Sequence, residues 1–100
     1  MRPFAALADD TRLGIVTALR KHERSVGELV ELFPLTQPAI SRHLRILRDA
    51  ELVISEPVAQ RRIYRLNPRG LREIDRWLEP YRRFWSTKLD ALEQHLDEKP

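Results

Sequence analysis

Cysteine is absent from this chain of 100 residues. That excludes a disulfide framework, a thiolate metal site and a cysteine nucleophile. Glycine is scarce, with three residues, and no glycine-rich phosphate loop is present. No stretch approaches the roughly 20 apolar residues that span a bilayer. The N-terminus lacks the long apolar core of a secretory signal. The expectation is a cytoplasmic protein with no membrane segment. No internal repeat or low-complexity tract is found. The length predicts one domain over residues 1–100, with a modest core that gains from a partner subunit. A hydrophobic fraction of 42% suffices for a globular fold, and 33% charged residues keep it soluble.

The net charge of +3 is a weak signal, but its distribution is informative. Residues 1–33 hold five basic and five acidic side chains, and residues 71–100 hold six and seven. Between Pro34 and Leu66 lie six arginines against Asp49, Glu51 and Glu56, with Arg69 just beyond. A basic centre of this kind is the electrostatic footprint of a phosphate-binding face. An ordinary solvated surface is the alternative that charge alone leaves open.

Periodicity organises the chain. Phe4, Leu7 and Ala8 predict a short first helix. Asp9 or Asp10 offers an N-cap, and Leu13, Ile15, Val16 and Leu19 carry a second helix to about Lys21. His22 to Arg24 is polar and reads as a loop. Ser25 and Glu28 form a capping box for a helix that runs to Phe33 and stops at Pro34. Thr36 caps the next helix, Gln37 to Ala50, with Pro38 in its first turn. Two short helices joined by so tight a turn make a helix-turn-helix unit. Leu52 to Val58 and Arg62 to Leu66 then read as a β-hairpin with Ala59 to Arg61 between them. Pro57 places the first of these strands at an edge, or ends it early. Asn67-Pro68 opens a helix to about Leu78, Pro80 breaks or kinks it, and a last helix runs from Tyr81 to Leu96. The fold class is mainly α with a small β-hairpin, a winged helix-turn-helix.

At 100° per residue, Ile40, Leu44 and Leu47 share one side of the Gln37–Ala50 helix. Ser41, Arg45 and Arg48 face the opposite way, flanked by Gln37 and Arg42. Arginine can pair bidentately with guanine, glutamine with adenine, and serine with base edges or phosphate. Thr36, Gln37, Pro38 and Ser41 lie at the N-terminal end, which a recognition helix presents to bases. An amphipathic surface helix would share this pattern. The context of capped helix, short turn, this helix and basic hairpin favours DNA. His43, toward the edge of the buried side, reads as a structural histidine. It lies two residues from Ser41 and points elsewhere, so the two are not a nucleophile and its base.

Arg61 and Arg62 at the hairpin tip can reach phosphates beside the groove. Solubility of an exposed edge is the plainer account. The last helix carries Tyr81, Phe84, Trp85, Leu89, Leu92 and Leu96 as one stripe, extended backward by Trp77. Such a stripe packs on its own domain or on a second subunit. Its aromatic content favours a dimer interface that Phe4 and Leu7 join.

Residues 4–13 (Phe-Ala-Ala-Leu-Ala-Asp-Asp-Thr-Arg-Leu), Ser25 to Leu29, Thr36 to Leu44 and Leu47 to Val53 together resemble the ArsR family of bacterial and archaeal regulators. The run Gln37-Pro38-Ala39-Ile40-Ser41-Arg42-His43-Leu44 is the most specific part. The resemblance implies a homodimer joined through its first and last helices, a recognition helix at Gln37 to Ala50, a wing at Ile54 to Tyr64, and a repressor released from its operator by a signal. The wing tip departs from the family in lacking glycine. Where thiophilic-metal sensors carry cysteines, this chain has Ser25, Gly27 and Val30. Of the zinc pattern of other members, His95 and Glu98 match the second half, while Arg82 and Phe84 stand in place of the first. The resemblance is therefore to the metal-independent branch, with no metal site and no cofactor. The function expected is a sequence-specific transcriptional regulator that binds a pseudo-palindromic operator in double-stranded DNA as a homodimeric repressor. A winged-helix module that binds protein and not DNA is the alternative. An enzyme is not expected, since neither a nucleophile–base pair nor room for a pocket is evident.

Overall fold

The computed structural model describes residues 2–97. In chain order the elements are α1 (Arg2–Leu7), α2 (Asp10–Lys21), β1 (Arg24–Ser25), α3 (Val26–Leu32), α4 (Gln37–Asp49), β2 (Val53–Val58), β3 (Arg61–Leu66) and α5 (Pro68–Asp97). The caps anticipated from sequence form. Asp9 caps α2 by accepting from the Arg12 N–H at 2.9 Å. Ser25 and Glu28 exchange both bonds of a capping box at the start of α3. Thr36 accepts from the Ala39 N–H at 3.3 Å, with Pro38 in the first turn of α4.

The core gathers one face of each element. Ile15 and Leu19 of α2, Leu29 of α3, Ile40, Leu44 and Leu47 of α4, and Leu52, Val53 and Tyr64 are buried together. The helix-turn-helix is seated on α2 through Phe33, which directly follows α3. A Cβ on Gly14 would lie 2.8 Å from the Phe33 ring, so the close approach needs a glycine there.

The sheet has three strands in the order β1-β3-β2, all antiparallel. The loop expected at His22 to Arg24 is partly strand: Arg24 pairs with Tyr64 and Ser25 with Ile63. Two residues cannot display a period, and β1 exists only because β3 offers it an edge. Pro57 lies on β2, an outer strand of the sheet, where a missing N–H costs no ladder bond. The wing turn is tighter than expected. Arg61 is already in β3, paired with Val58, leaving a two-residue loop of Ala59 and Gln60. Ala59 takes φ 57°, a left-handed position that glycine fills most readily.

α4 ends in a Schellman motif. The Glu51 N–H donates to Arg48 O and the Leu52 N–H to Leu47 O, both at 2.9 Å, with Glu51 at φ 60°. The start of α5 docks on this cap, where the Gly70 N–H donates to Glu51 O at 2.9 Å. The C-terminal end of α4 and the N-terminal end of α5 are thereby held together.

Of the break or kink expected at Pro80, the break does not occur: α5 is one helix of 30 residues with Pro80 inside it. Proline removes one N–H bond, which leaves the Arg76 carbonyl without its helical donor. Here the segment is exposed, so water can replace that donor. Side chains also bridge the position. The rings of Trp77 and Tyr81 stack at 4.5 Å, and Arg82 donates to Asp75 Oδ1, Glu79 Oε2 and the Asp75 carbonyl. Beyond Leu78 every described residue of α5 is exposed.

Candidate nucleic-acid interface

The geometry of α4 follows from its two faces. Ile40, Leu44 and Leu47 are fully buried and fix the helix rotation. Gln37, Ser41, Arg42, Arg45 and Arg48 are exposed as a result. Among the described residues, none of these three arginines forms an ion pair. Their charge is free for an external anion. Thr36 and Pro38 are exposed at the same N-terminal end.

His43 lies between the two faces and is partly buried. Its Nδ1 is 3.2 Å from Arg12 Nη1, and Arg12 Nε donates to the Ala6 carbonyl at 2.5 Å. The histidine thus ties α4 to α2, and through Arg12 to α1. Asp9 lies beside it, its carboxyl held below the ordinary value of 3.8 chiefly by the Arg12 N–H.

The wing places its two arginines differently. Arg62 donates to Ser55 Oγ across the hairpin at 2.9 Å. Arg61 turns toward α3, donating to Ser25 Oγ at 3.0 Å and Glu28 Oε1 at 2.5 Å. The Glu28 carboxyl is held below its ordinary 4.5, first by the Ser25 N–H, then by the Ser25 hydroxyl and by Arg61. Between wing and helix-turn-helix runs a groove of about 340 Å³, bordered by Ser25, Gly27, Gln37, Gln60, Arg61 and Arg62. Sequence reasoning found Glu28 only as a capping residue, because its arginine partner is 33 positions away.

The apolar stripe is brought together along α5. Trp77, Tyr81, Phe84, Trp85, Leu89, Leu92 and Leu96 are each between 46% and 58% exposed. Phe4 meets Trp77 edge-on at 5.0 Å, which joins α1 to the stripe, and Leu7 packs against the core at partial exposure. Among the described residues, no three or more His, Asp or Glu side chains are grouped to hold a metal. His95 is exposed near the end of α5, and Glu98 lies outside the described residues. No helix among them is long and apolar enough to cross a membrane.

A family model described as bacterial regulatory protein, arsR family, matches residues 9–55. The chain is 41% identical over 96 residues to the HTH-type transcriptional regulator Rv2034 of Mycobacterium tuberculosis, covering 96% of this chain and 87% of that one. It is 33% identical over 75 residues to the transcriptional repressor SdpR of Bacillus subtilis, covering 75% and 83%. A crystal structure described as a possible transcriptional regulator for arsenical resistance superposes with a TM-score of 0.75 at 33% identity, over 100% of this chain and 99% of that one. An ArsR-like transcriptional regulator from Rhodococcus sp. RHA1 gives 0.72 at 34% identity, over 93% and 88%.

Proposed function

The chain belongs to the arsR family of bacterial regulatory proteins, as a DNA-binding transcriptional regulator and not an enzyme, and from that premise we propose that it acts as a homodimeric repressor that reads DNA through α4. The observation that carries the reading is the outer face of α4, where Arg42, Arg45 and Arg48 stand exposed beside Gln37 and Ser41. The helix is anchored by its buried face, so these side chains enter a major groove as a preset array. Thr36 and Pro38 shape the leading end, and Arg61 and Arg62 of the wing meet flanking phosphates.

The exposed stripe of α5, with Phe4 and Leu7 of α1, forms the subunit interface in this reading. Two-fold symmetry then matches a pseudo-palindromic operator with half-sites about one helical turn apart. The protein works in the cytoplasm without a bound metal. Thiolate ligands are absent, and His22, His43 and His95 stand on three separate parts of the chain. His43 is engaged by Arg12.

The test is DNA binding by Arg42→Ala and Arg45→Ala. A base-contacting arginine loses about 1–3 kcal/mol at the preferred site and relaxes preference at one position. An equal loss on every sequence makes that arginine a phosphate contact. No loss in a variant removes that arginine from the interface. Binding by the wild-type chain that does not weaken with salt would return the reading to a protein-binding module.

A further inference from the structure

The Arg61–Glu28 pair faces the groove between wing and helix-turn-helix, and its chemistry bears on how tightly DNA is held. We propose that Glu28 is an internal competitor of DNA phosphate: it occupies Arg61 in the free protein and gives it up to the phosphate on binding. The inference rests on the DNA reading above and adds a residue that limits affinity.

Four observations support it. First, the pair is inexpensive to open, because the Arg61 and Glu28 side chains are 60% and 40% exposed, and exposed pairs contribute little. Second, opening it orphans nothing. Glu28 Oε1 keeps the Ser25 N–H at 3.2 Å and the Ser25 hydroxyl at 3.1 Å. Third, the wing does not need the pair as a strut. Backbone pairing of Ser25 with Ile63, and of Val53–Val58 with Arg61–Leu66, already fixes its position. Fourth, the groove is furnished for an anion. Arg61, Arg62, Gln37, Gln60 and Ser25 border it, all polar or basic residues. Gln37 is also the first residue of α4, a helix of 13 residues, so the positive end of that helix borders the groove.

The charge accounting makes the idea measurable. In the wild-type chain, one phosphate replaces one carboxylate on Arg61, and the freed carboxylate gathers a cation of its own. That contact therefore adds less to counterion release than an unpaired arginine would. Without the carboxylate, it adds the full term of about 0.9 in the slope of log affinity against log salt.

The experiment is a fluorescence anisotropy titration of a mixed-sequence DNA duplex across a salt series. The wild-type chain is compared with Glu28→Gln, Arg61→Ala and the double variant. Glutamine at this position still serves a capping box, so the fold is retained. Glu28→Gln is expected to bind about two- to fivefold tighter at low salt, with a slope steeper by a fraction of the roughly 0.9 unit of a full phosphate contact. In the Arg61→Ala background, adding Glu28→Gln leaves the slope where Arg61→Ala put it. Weaker binding by Glu28→Gln, or an unchanged slope, would overturn the proposal and make the pair a strut. Binding that Arg45→Ala lowers but Glu28→Gln does not raise defeats this proposal alone. A wild-type chain that ignores the duplex at every salt concentration defeats the DNA reading and this proposal together.

Discussion

Arg12 Nη1 lies 3.2 Å from His43 Nδ1, across a separation of 31 residues. A guanidinium only donates, so in this contact the ring nitrogen is the accepting partner. The Asp9 carboxylate lies 3.8 Å from the same ring nitrogen. The same arginine holds the Ala6 carbonyl, so one side chain connects α1, α2 and α4. Arg12→Ala removes both bonds from a partly buried site. The expected cost is about 1–3 kcal/mol in urea unfolding. Arg12→Lys should recover only part of it, because one ammonium cannot reproduce the two directed donors. Full recovery by lysine would mean that charge alone matters here.

Gly70 is the second point where distant elements depend on one residue. A Cβ there would lie 2.5 Å from the Glu51 carbonyl oxygen and 2.8 Å from its carbon. Both atoms belong to the backbone of the α4 cap, so neither can swing aside. Gly70→Ala is expected to destabilise the chain by about 1–3 kcal/mol, as overpacking does. It should also disturb the placement of α5 on α4. A thermal melt checks the first effect, and a wild-type Tm in the variant would contradict it.

Acid should loosen the starts of α2 and α3. The Glu28 and Asp9 carboxyls are both held below their ordinary values of 4.5 and 3.8, chiefly by the backbone N–H groups of Ser25 and Arg12. A depressed carboxyl contributes stability that is complete above its ordinary value. That contribution is lost as pH falls through the lowered value. Tm should therefore drop as pH falls below about 4.5. Glu28→Gln should flatten the part of the drop that Glu28 supplies, since its amide does not titrate. Parallel wild-type and Glu28→Gln curves from neutral to acid would show that the carboxylate contributes no pH dependence.

The helical framework was legible because its signals are local. Ser25 with Glu28, Thr36 with Pro38, and the Ile40–Leu44–Leu47 spacing each fall within one or two helical turns. What stayed hidden depends on residues far apart in sequence. Arg24 and Ser25 become a strand only against Tyr64 and Ile63. Glu51 ends α4 in a left-handed conformation without the usual glycine, and its supporting glycine is Gly70 on the next helix. The separate helix expected after Pro80 did not form, because a proline signal is read against an unsupported helix. The Trp77–Tyr81 stack and the Arg82 bonds that span it are visible only once the helix exists. The exposed polar side chains of α4 were legible for the same reason as its core: one buried face determines the other. The engagement of Arg61 by Glu28 was not, since nothing near Arg61 in sequence announces it.

Trp85 offers the sharpest test of the dimer. Its side chain is 57% exposed and meets Phe84 edge-on at 5.5 Å, with no contact to the buried core. Removing it should leave the fold of the isolated chain almost untouched, since little is buried there to lose. In a dimer built on α5 the same side chain would be covered, and a buried tryptophan at an interface centre is worth 2 kcal/mol or more. Trp85→Ala should then raise the dimer dissociation constant by about 30-fold or more. Its unfolding should become more dependent on protein concentration than the wild type's. Sedimentation velocity over a concentration series distinguishes the cases. If the wild-type chain sediments as a monomer at micromolar concentration, the stripe is not a subunit interface. If wild type and Trp85→Ala dissociate alike, Trp85 lies outside whatever interface exists. A variant that dissociates readily, yet gives the wild-type circular dichroism spectrum, places Trp85 in the contact between subunits.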